Sequence, residues 1–599
     1  MQDRLPKRSE VANELTWRLE DIYENEADFD KELEETLSIA DEIRKLEGKL
    51  SESAKTLLEA LKLYERAALL MSRFRGYAHM RHDEDTSNSK YQGMDQKSVS
   101  AMVSFGEKTS FVEPEILQIS DDKLDSFYKE EPELKHFELK IKEIRRLKDH
   151  ILSKEMEQLI ASAGEMQQTA ANGFSMLSNA DLKFPSVKDS EGKEVTLSNG
   201  RFVPTEMSKD RELRKRAFEA FYGRYEEFKN TWATLYDGEV KARIFNAKAR
   251  KYNSNFEAAV DENNVDPAVC DRLIDSIHKG FDKMHRYVAL RKKLLGVDEL
   301  HMYDVYVSMI KDFDMEVSYE EAKEISLKAL APLGEDYLEI VKQAYDNRWI
   351  DVVENEGKRS GAYSSGAYGV HPYMLLNYNN TLEDVFTLVH EMGHSMHTWY
   401  SDHEQSIFDS EYKIFVAEVA STTNEVLLYH YLKNHAKTKE EKAYIINHFL
   451  ESFKSTMYRQ TMFEEFERKT NTMAEEGIPL TAESLYDVYY NLNKEYFGED
   501  MISDKEIGWE WCRIPHFYYN FYVYQYATSF AASVAIASRI LKEGAPAVEQ
   551  YKNFLKSGCT KDPVSLLKIA GVDLTTSQPI DEAIEVFGEA LTEMEELYK

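Results

Sequence analysis

The stretch LVHEMGHSMHTWY, residues 388–400, sets His390, Glu391, His394 and His397 close together in a chain that has only 16 histidines among 599 residues. On an α-helix, residues four apart stand one turn above each other, about 6 Å along the axis. His390 and His394 can therefore aim both imidazoles at one cation about 2.1 Å from each nitrogen. Glu391 cannot reach that point but can face the ion's open position, which is the place of a general base acting on water. His397 stands about 10.5 Å along the axis from His390, too far to share the ion, and is expected packed or bonded behind the ligands.

A catalytic zinc takes three protein ligands and keeps one position open. The metzincin pattern would place glycine and histidine three and six residues after His394, where this chain has His397 and Tyr400, so that branch is excluded. The alternative is a carboxylate from a later helix. SEYKIFVAEVASTTNEVLLYHYL offers Glu411, Glu418 and Glu425 at a spacing that puts them on nearly one face. Glu418 is flanked by Phe415, Val416, Ala417, Val419 and Ala420, and a carboxylate among such residues needs a cation or hydrogen bonds to offset its desolvation. Glu418 is thus the expected ligand. Glu425, two turns on, is placed to orient His390 or His394.

A further constellation is RIPHFYYNFYVYQYATSF, residues 513–530. Helical spacing puts His516, Tyr519, Tyr522 and Tyr526 along one stripe. Such stripes commonly pack cores, but buried phenols need partners, and a histidine with phenols facing a metal would make an oxyanion clamp.

Several elements must position these groups. From Trp17 to about Leu182, apolar residues recur at spacings of three and four, predicting five or six antiparallel helices. Between Lys183 and Pro204 short β-prone runs and the Ser198-Asn199-Gly200 signal predict a small antiparallel β-meander. Helical periodicity then runs from about Ser208 to about Asn347. The glycine-rich SGAYSSGAYGVHPYMLLNYNN, residues 360–380, reads as a flexible loop entering a strand. An exposed strand edge binds extended peptide, so Tyr373 and Leu375 in PYMLLNY are expected to meet substrate. Thr381 with Asp384 forms an acidic capping box, starting the histidine helix at Leu382. The division expected is an N-terminal helical lobe (1–182), the β-meander (183–206) and a catalytic domain (207–599).

Lysine and arginine number 75 against 108 acids, a net charge of −33 that repels phosphate backbones and anionic lipid, so neither nucleic acid nor membrane is an expected partner. With 25 glycines and 13 prolines the composition leans helical. Cys270, Cys512 and Cys559 are too few and too scattered for a disulfide framework. Without a signal peptide or an apolar run of membrane length, a cytoplasmic location is expected.

Taken together, VHEMGHSMH, FVAEVAST and IPHFYYNFYVYQYA resemble the zinc oligopeptidase family that contains thimet oligopeptidase and bacterial oligopeptidase F, and LTWRLEDIYEN looks closest to the oligopeptidase F branch. The resemblance spans nearly the whole chain. It implies a mainly α fold of two helical lobes around a deep channel, with a zincin-like catalytic core. It also implies one Zn2+ per chain held by His390, His394 and Glu418, with Glu391 as base. The activity implied is endopeptidase cleavage of internal bonds in short unstructured peptides, by Glu-assisted attack of a zinc-bound water. His516 matches the family's histidine. Tyr522 and Tyr526 are favoured as its partners, with Tyr519 at the substrate, although the tyrosines are spaced differently from the thimet branch. A zinc carboxypeptidase or dipeptidyl carboxypeptidase on a similar scaffold is the enzymatic alternative; it would need a cation for the substrate's carboxylate, for which Arg513 is the candidate. A scaffold protein with a structural metal would need a fourth protein ligand, and none stands at suitable spacing.

Overall fold

The computed structural model describes residues 4–310, 313 and 315–599. Helices make up 71% of the chain and the sheets are small, as the composition predicts. Three long helices open it: α1 (Glu26–Arg44), α2 (Ala54–Glu84) and α3 (Ser89–Thr109), begun by the side-chain caps Asn25, Ser53 and Asn88. The rest of the stretch to Leu182 is broken into shorter helices.

The stretch read as a meander is a two-stranded hairpin, β1 (Ser186–Lys188) with β2 (Glu194–Thr196), followed by helix α4 (Asn199–Glu206). Asn199-Gly200 therefore opens a helix instead of turning a hairpin. The reason is local: the Ser198 side chain accepts the Arg201 N–H, and this cap outcompetes the turn. The hairpin turns earlier, where Asp189 N–H bonds the Lys193 carbonyl around Gly192 at φ 85°.

Further along lie α5 (Asn255–Asp261), α6 (Glu335–Asp346), and the strands β3 (Ile350–Asp351), β4 (Tyr363–Ser365) and β5 (Tyr373–Leu375). After them come α7 (Leu382–Glu404), α8 (Ile414–His435), α9 (Arg459–Glu475) and α10 (Tyr524–Glu543). In the sheet β5 is central, parallel to β3 and antiparallel to β4, with Tyr363 opposite Leu375 and Ser365 opposite Tyr373.

Two compact units emerge, each assembled from separated segments. The first takes the chain up to Asp149, then Met315–Tyr431 and Ile536–Gly571; the second takes the intervening segments, from His150 and from Leu432, and closes with Val572–Lys599. The boundaries read from sequence at 182 and 206 both fall inside the second unit, because texture along the chain does not reveal which distant segments return to one core. In the first unit Trp17, Phe29, Phe74 and Tyr77 form a core with Tyr373 and Leu375, so the long helix α2 covers the sheet. Among the described residues no helix is long and apolar enough to cross a membrane.

Candidate metal centre and catalytic residues

Helix α7 begins where the sequence puts it. Thr381 Oγ1 accepts the Asp384 N–H at 3.2 Å, and Asp384 returns its carboxylate to the Thr381 N–H at 2.9 Å. One turn apart on this helix, His390 and His394 direct their Nε2 atoms to within 3.2 Å of each other. Helix α8 crosses α7 at Gly393, where a Cβ would stand 2.5 Å from Ser421 Cα. Only glycine permits that approach, and it brings the acidic face of α8 onto the histidines. Asn424 fixes the crossing by donating to the Val389 carbonyl at 3.3 Å and to Tyr337 Oη of α6 at 3.1 Å.

Glu418 Oε2 lies 3.3 Å from His390 Nε2 and 3.5 Å from His394 Nε2. Bonds of about 2.0–2.1 Å at tetrahedral angles set ligand atoms about 3.3 Å apart. Two imidazole nitrogens and one carboxylate oxygen thus already stand at the edges of a tetrahedral face, and a divalent cation fits against it. Among the described residues these are the three that could hold a metal ion together. Among the described residues no fourth protein ligand closes the face. The site is therefore of the open kind.

Behind the ligands, Glu425 bonds His390 Nδ1, leaving Nε2 for the ion. Burial works against a charge on His390, yet Glu425 and Glu418 outweigh it and hold its pKa well above the usual value. Burial would raise the Glu418 carboxyl, and the two histidines instead hold it well below the usual range. Glu411, at the same spacing on the sequence, is exposed before α8 begins.

Glu391 is 7% exposed and makes a different balance. Burial raises its pKa, the two imidazoles oppose, and the backbone amide of Ser364 on β4 also bonds it. A carboxyl so placed is a competent proton acceptor beside the metal face. His397, by contrast, is not bonded to a ligand: its ring stacks on Tyr412 at 3.6 Å with 3° between planes, and its Nδ1 finds no partner among the described residues. It is a packed histidine. Burial lowers its pKa to about 3, so it stays neutral.

The strand expected to meet substrate is corrected by the sheet order. Tyr373 and Leu375 sit on the central strand, fully buried, and Tyr373 donates its hydroxyl to the Arg18 carbonyl at 2.9 Å. The short apolar run YML marks a strand covered by α2, not a rim. One edge of the sheet is β4, and Ser364 ties it to α7 by an Oγ contact of 2.8 Å with Ser395. The glycine-rich loop is also anchored. Tyr368 N–H donates to Ser72 Oγ at 2.9 Å, and a Cβ on Gly76 of α2 would stand 2.6 Å from the Gly366 carbonyl oxygen. No sequence pattern marks Ser364, whereas a glycine inside a helical HExxH pattern is the signal that marks the crossing.

The second unit holds the other constellation. His516 lies in a 3-10 turn (Pro515–Tyr518), and α10 starts only at Tyr524, so the four residues do not share one helix. Asn520 and Phe521 interrupt the stripe with φ of 51° and 58°. Three tyrosine rings gather around His516 all the same: Tyr519 at 5.7 Å, Tyr522 at 6.3 Å and Tyr526 at 5.9 Å. Tyr526 Oη is 3.5 Å from His516 Nε2, and Tyr519 is 57% exposed. Burial, then Arg459, lowers the His516 pKa, keeping it a neutral imidazole. Arg513 is already engaged: it donates to Glu510 Oε1 at 3.0 Å and to Tyr222 Oη at 3.3 Å, in a buried network with Arg459.

Residues 205–586 match the Peptidase family M3, and residues 115–184 match the family described as Oligopeptidase F. The chain is 50% identical over 595 residues to Oligopeptidase PepF of Bacillus subtilis (strain 168), covering 99% of this chain and 89% of that one. The crystal structure of oligoendopeptidase-F from Enterococcus faecium is similar with a TM-score of 0.75 at 38% identity, covering 96% of this chain and 99% of that one. A crystal structure from Chlamydophila abortus reaches 0.92 at 35% identity, covering 99% and 100%. Fold, ligand set and likeness together define a metallopeptidase built on helices. More particularly, the chain belongs to peptidase family M3.

Proposed function

We propose that the chain is a zinc-dependent endopeptidase that cleaves internal bonds of short, unstructured peptides. The observation that carries this reading is the tetrahedral spacing of His390 Nε2, His394 Nε2 and Glu418 Oε2, with Glu391 buried on the same helix. When bound there, a divalent cation supplies Lewis acidity, polarising a peptide carbonyl and lowering the pKa of water. Glu391 accepts the proton of the attacking water and passes it to the leaving amine, a role its raised pKa suits. Glu425 holds the His390 ring in the orientation that presents Nε2. The edge strand β4 is suited to pair with an extended peptide backbone, which gives affinity without reading much sequence. His516 with Tyr526 or Tyr522 is proposed to donate hydrogen bonds to the oxyanion, on the strength of the sequence motif and of their mutual contacts in the second unit.

An endopeptidase is favoured over a carboxypeptidase because Arg513, the cation suggested for a terminal carboxylate, is bound to Glu510 and Tyr222. The test is an internally quenched peptide blocked at both ends, with products read by mass spectrometry. The native enzyme is expected to cut it internally and to stop on chelation. Glu391→Gln is expected to keep its metal and lose turnover; near-normal turnover would remove Glu391 as base.

A further inference from the structure

Asn520 and Phe521 of the second unit are consecutive residues with positive φ, and neither is glycine. Asparagine tolerates left-handed backbone, but an aromatic residue adopts it only where its surroundings enforce it. Two helices do so here. From α9, Glu467 Oε1 accepts the Phe521 N–H at 3.0 Å. From α5, Asn255 Nδ2 donates to Asn520 Oδ1 at 2.8 Å and to Asn471 Oδ1 at 2.9 Å, while Asn471 returns to the Glu467 carbonyl at 2.9 Å. The Phe521 ring packs edge-on against Phe256, also of α5, at 5.0 Å.

Glu467 is an expensive residue for a purely packing role. It is 2% exposed, and among the described residues no cation pairs with it. Burial and the neighbouring Glu464 both push its pKa upward, and the Phe521 amide that bonds it works the other way. What it bonds is the left-handed turn that stands between His516 on one side and Tyr522 and Tyr526 on the other. On an unbroken helix His516 and Tyr526, ten residues apart, would stand about 15 Å apart along the axis, whereas with the break at 520–521 Tyr526 Oη comes to 3.5 Å from His516 Nε2.

We propose that Glu467 and Asn255 are positioning residues that clamp the 520–521 turn and so hold Tyr522 and Tyr526 against His516 in the geometry used for catalysis. This rests on the oxyanion role proposed above for those rings. The full-length, metal-loaded enzyme is assayed on the quenched peptide as Glu467→Leu, Glu467→Gln, Asn255→Ala, His516→Ala and the double variant Glu467→Leu/His516→Ala. Glu467→Leu is expected to lower kcat about tenfold or more, with KM and metal content little changed. Glu467→Gln, which keeps an acceptor oxygen for the Phe521 N–H, is expected to recover most of the loss. Since both act on one cluster, the losses in the double variant should be clearly less than additive. Amide exchange in residues 519–523 should accelerate in Glu467→Leu. A kcat within about twofold of native for Glu467→Leu, or additive losses in the double variant, overturns the clamp. Should Glu467→Leu fail to fold, Asn255→Ala acts on the same turn from α5 and decides by the same criteria. An unimpaired His516→Ala would instead sink the oxyanion role and the clamp's purpose with it.

Discussion

Gly393 of α7 lies against Ser421 of α8 so closely that a Cβ on the glycine would stand 2.5 Å from Ser421 Cα and 2.7 Å from the Ala420 carbonyl oxygen. The obstruction is backbone, so Gly393→Ala has to push the helices apart and carry Glu418 away from the two imidazoles. Metal affinity is expected to fall by about tenfold or more, read by competition with a chromophoric chelator. Unchanged affinity would show that this crossing does not set the ligand spacing.

Glu425 grips His390 from behind, and Glu425→Ala frees the ring to rotate. Loss of such a partner commonly costs 10- to 100-fold in metal affinity or activity, and about that loss is expected here. Glu425→Gln, which still accepts from Nδ1, should lose less. Equal losses for both variants would point to charge instead of orientation.

His397 supplies a pH signature. Its folded pKa, depressed to about 3, lies below the ordinary imidazole value of about 6.5. Between those values the unfolded chain takes up a proton that the folded chain refuses, so stability is lost as pH falls through about 6.5. From pH 7.5 to 5.5 this group alone should cost about 1.4 kcal/mol. His397→Phe keeps a flat ring on Tyr412 and should reduce the acid loss by about that amount in metal-free protein followed by denaturant unfolding. An unaltered pH dependence would mean that His397 is protonated in the fold.

Tyr373→Phe separates core from substrate contact. It removes the hydroxyl that donates to the Arg18 carbonyl and should cost about 1 kcal/mol of stability, leaving KM for peptides unchanged. A raised KM with native stability would return this strand to the substrate.

The candidate metal-binding group is legible in the sequence because its chemistry is local. A capping box fixes the start of α7, helical spacing pairs His390 with His394, and the apolar neighbours of Glu418 mark a carboxylate that must be compensated. The errors arose where the decisive contact is distant in sequence. Nothing in PYMLLNY tells that Trp17 and Phe74 will cover it, so Tyr373 and Leu375 read as a rim when they are core. Asn199-Gly200 reads as a hairpin turn until the Ser198 cap is weighed against it. The His516 stripe presumes an unbroken helix, and no pattern in FYYNFYVY announces that Glu467 and Asn255 bond two residues held left-handed.

The first unit is not finished until the segment Ile536–Gly571 has been made, although its histidines and Glu418 are translated long before. That late segment sets Phe554 5.3 Å from the His397 ring and brings Tyr551 Oη to 3.5 Å from the Ala420 carbonyl. During synthesis, domains tend to fold as their residues emerge, but here the helices bearing His390, His394 and Glu418 lack their backing until the segment Ile536–Gly571 has been made. A growing chain therefore carries the candidate metal site well before the packing that supports it.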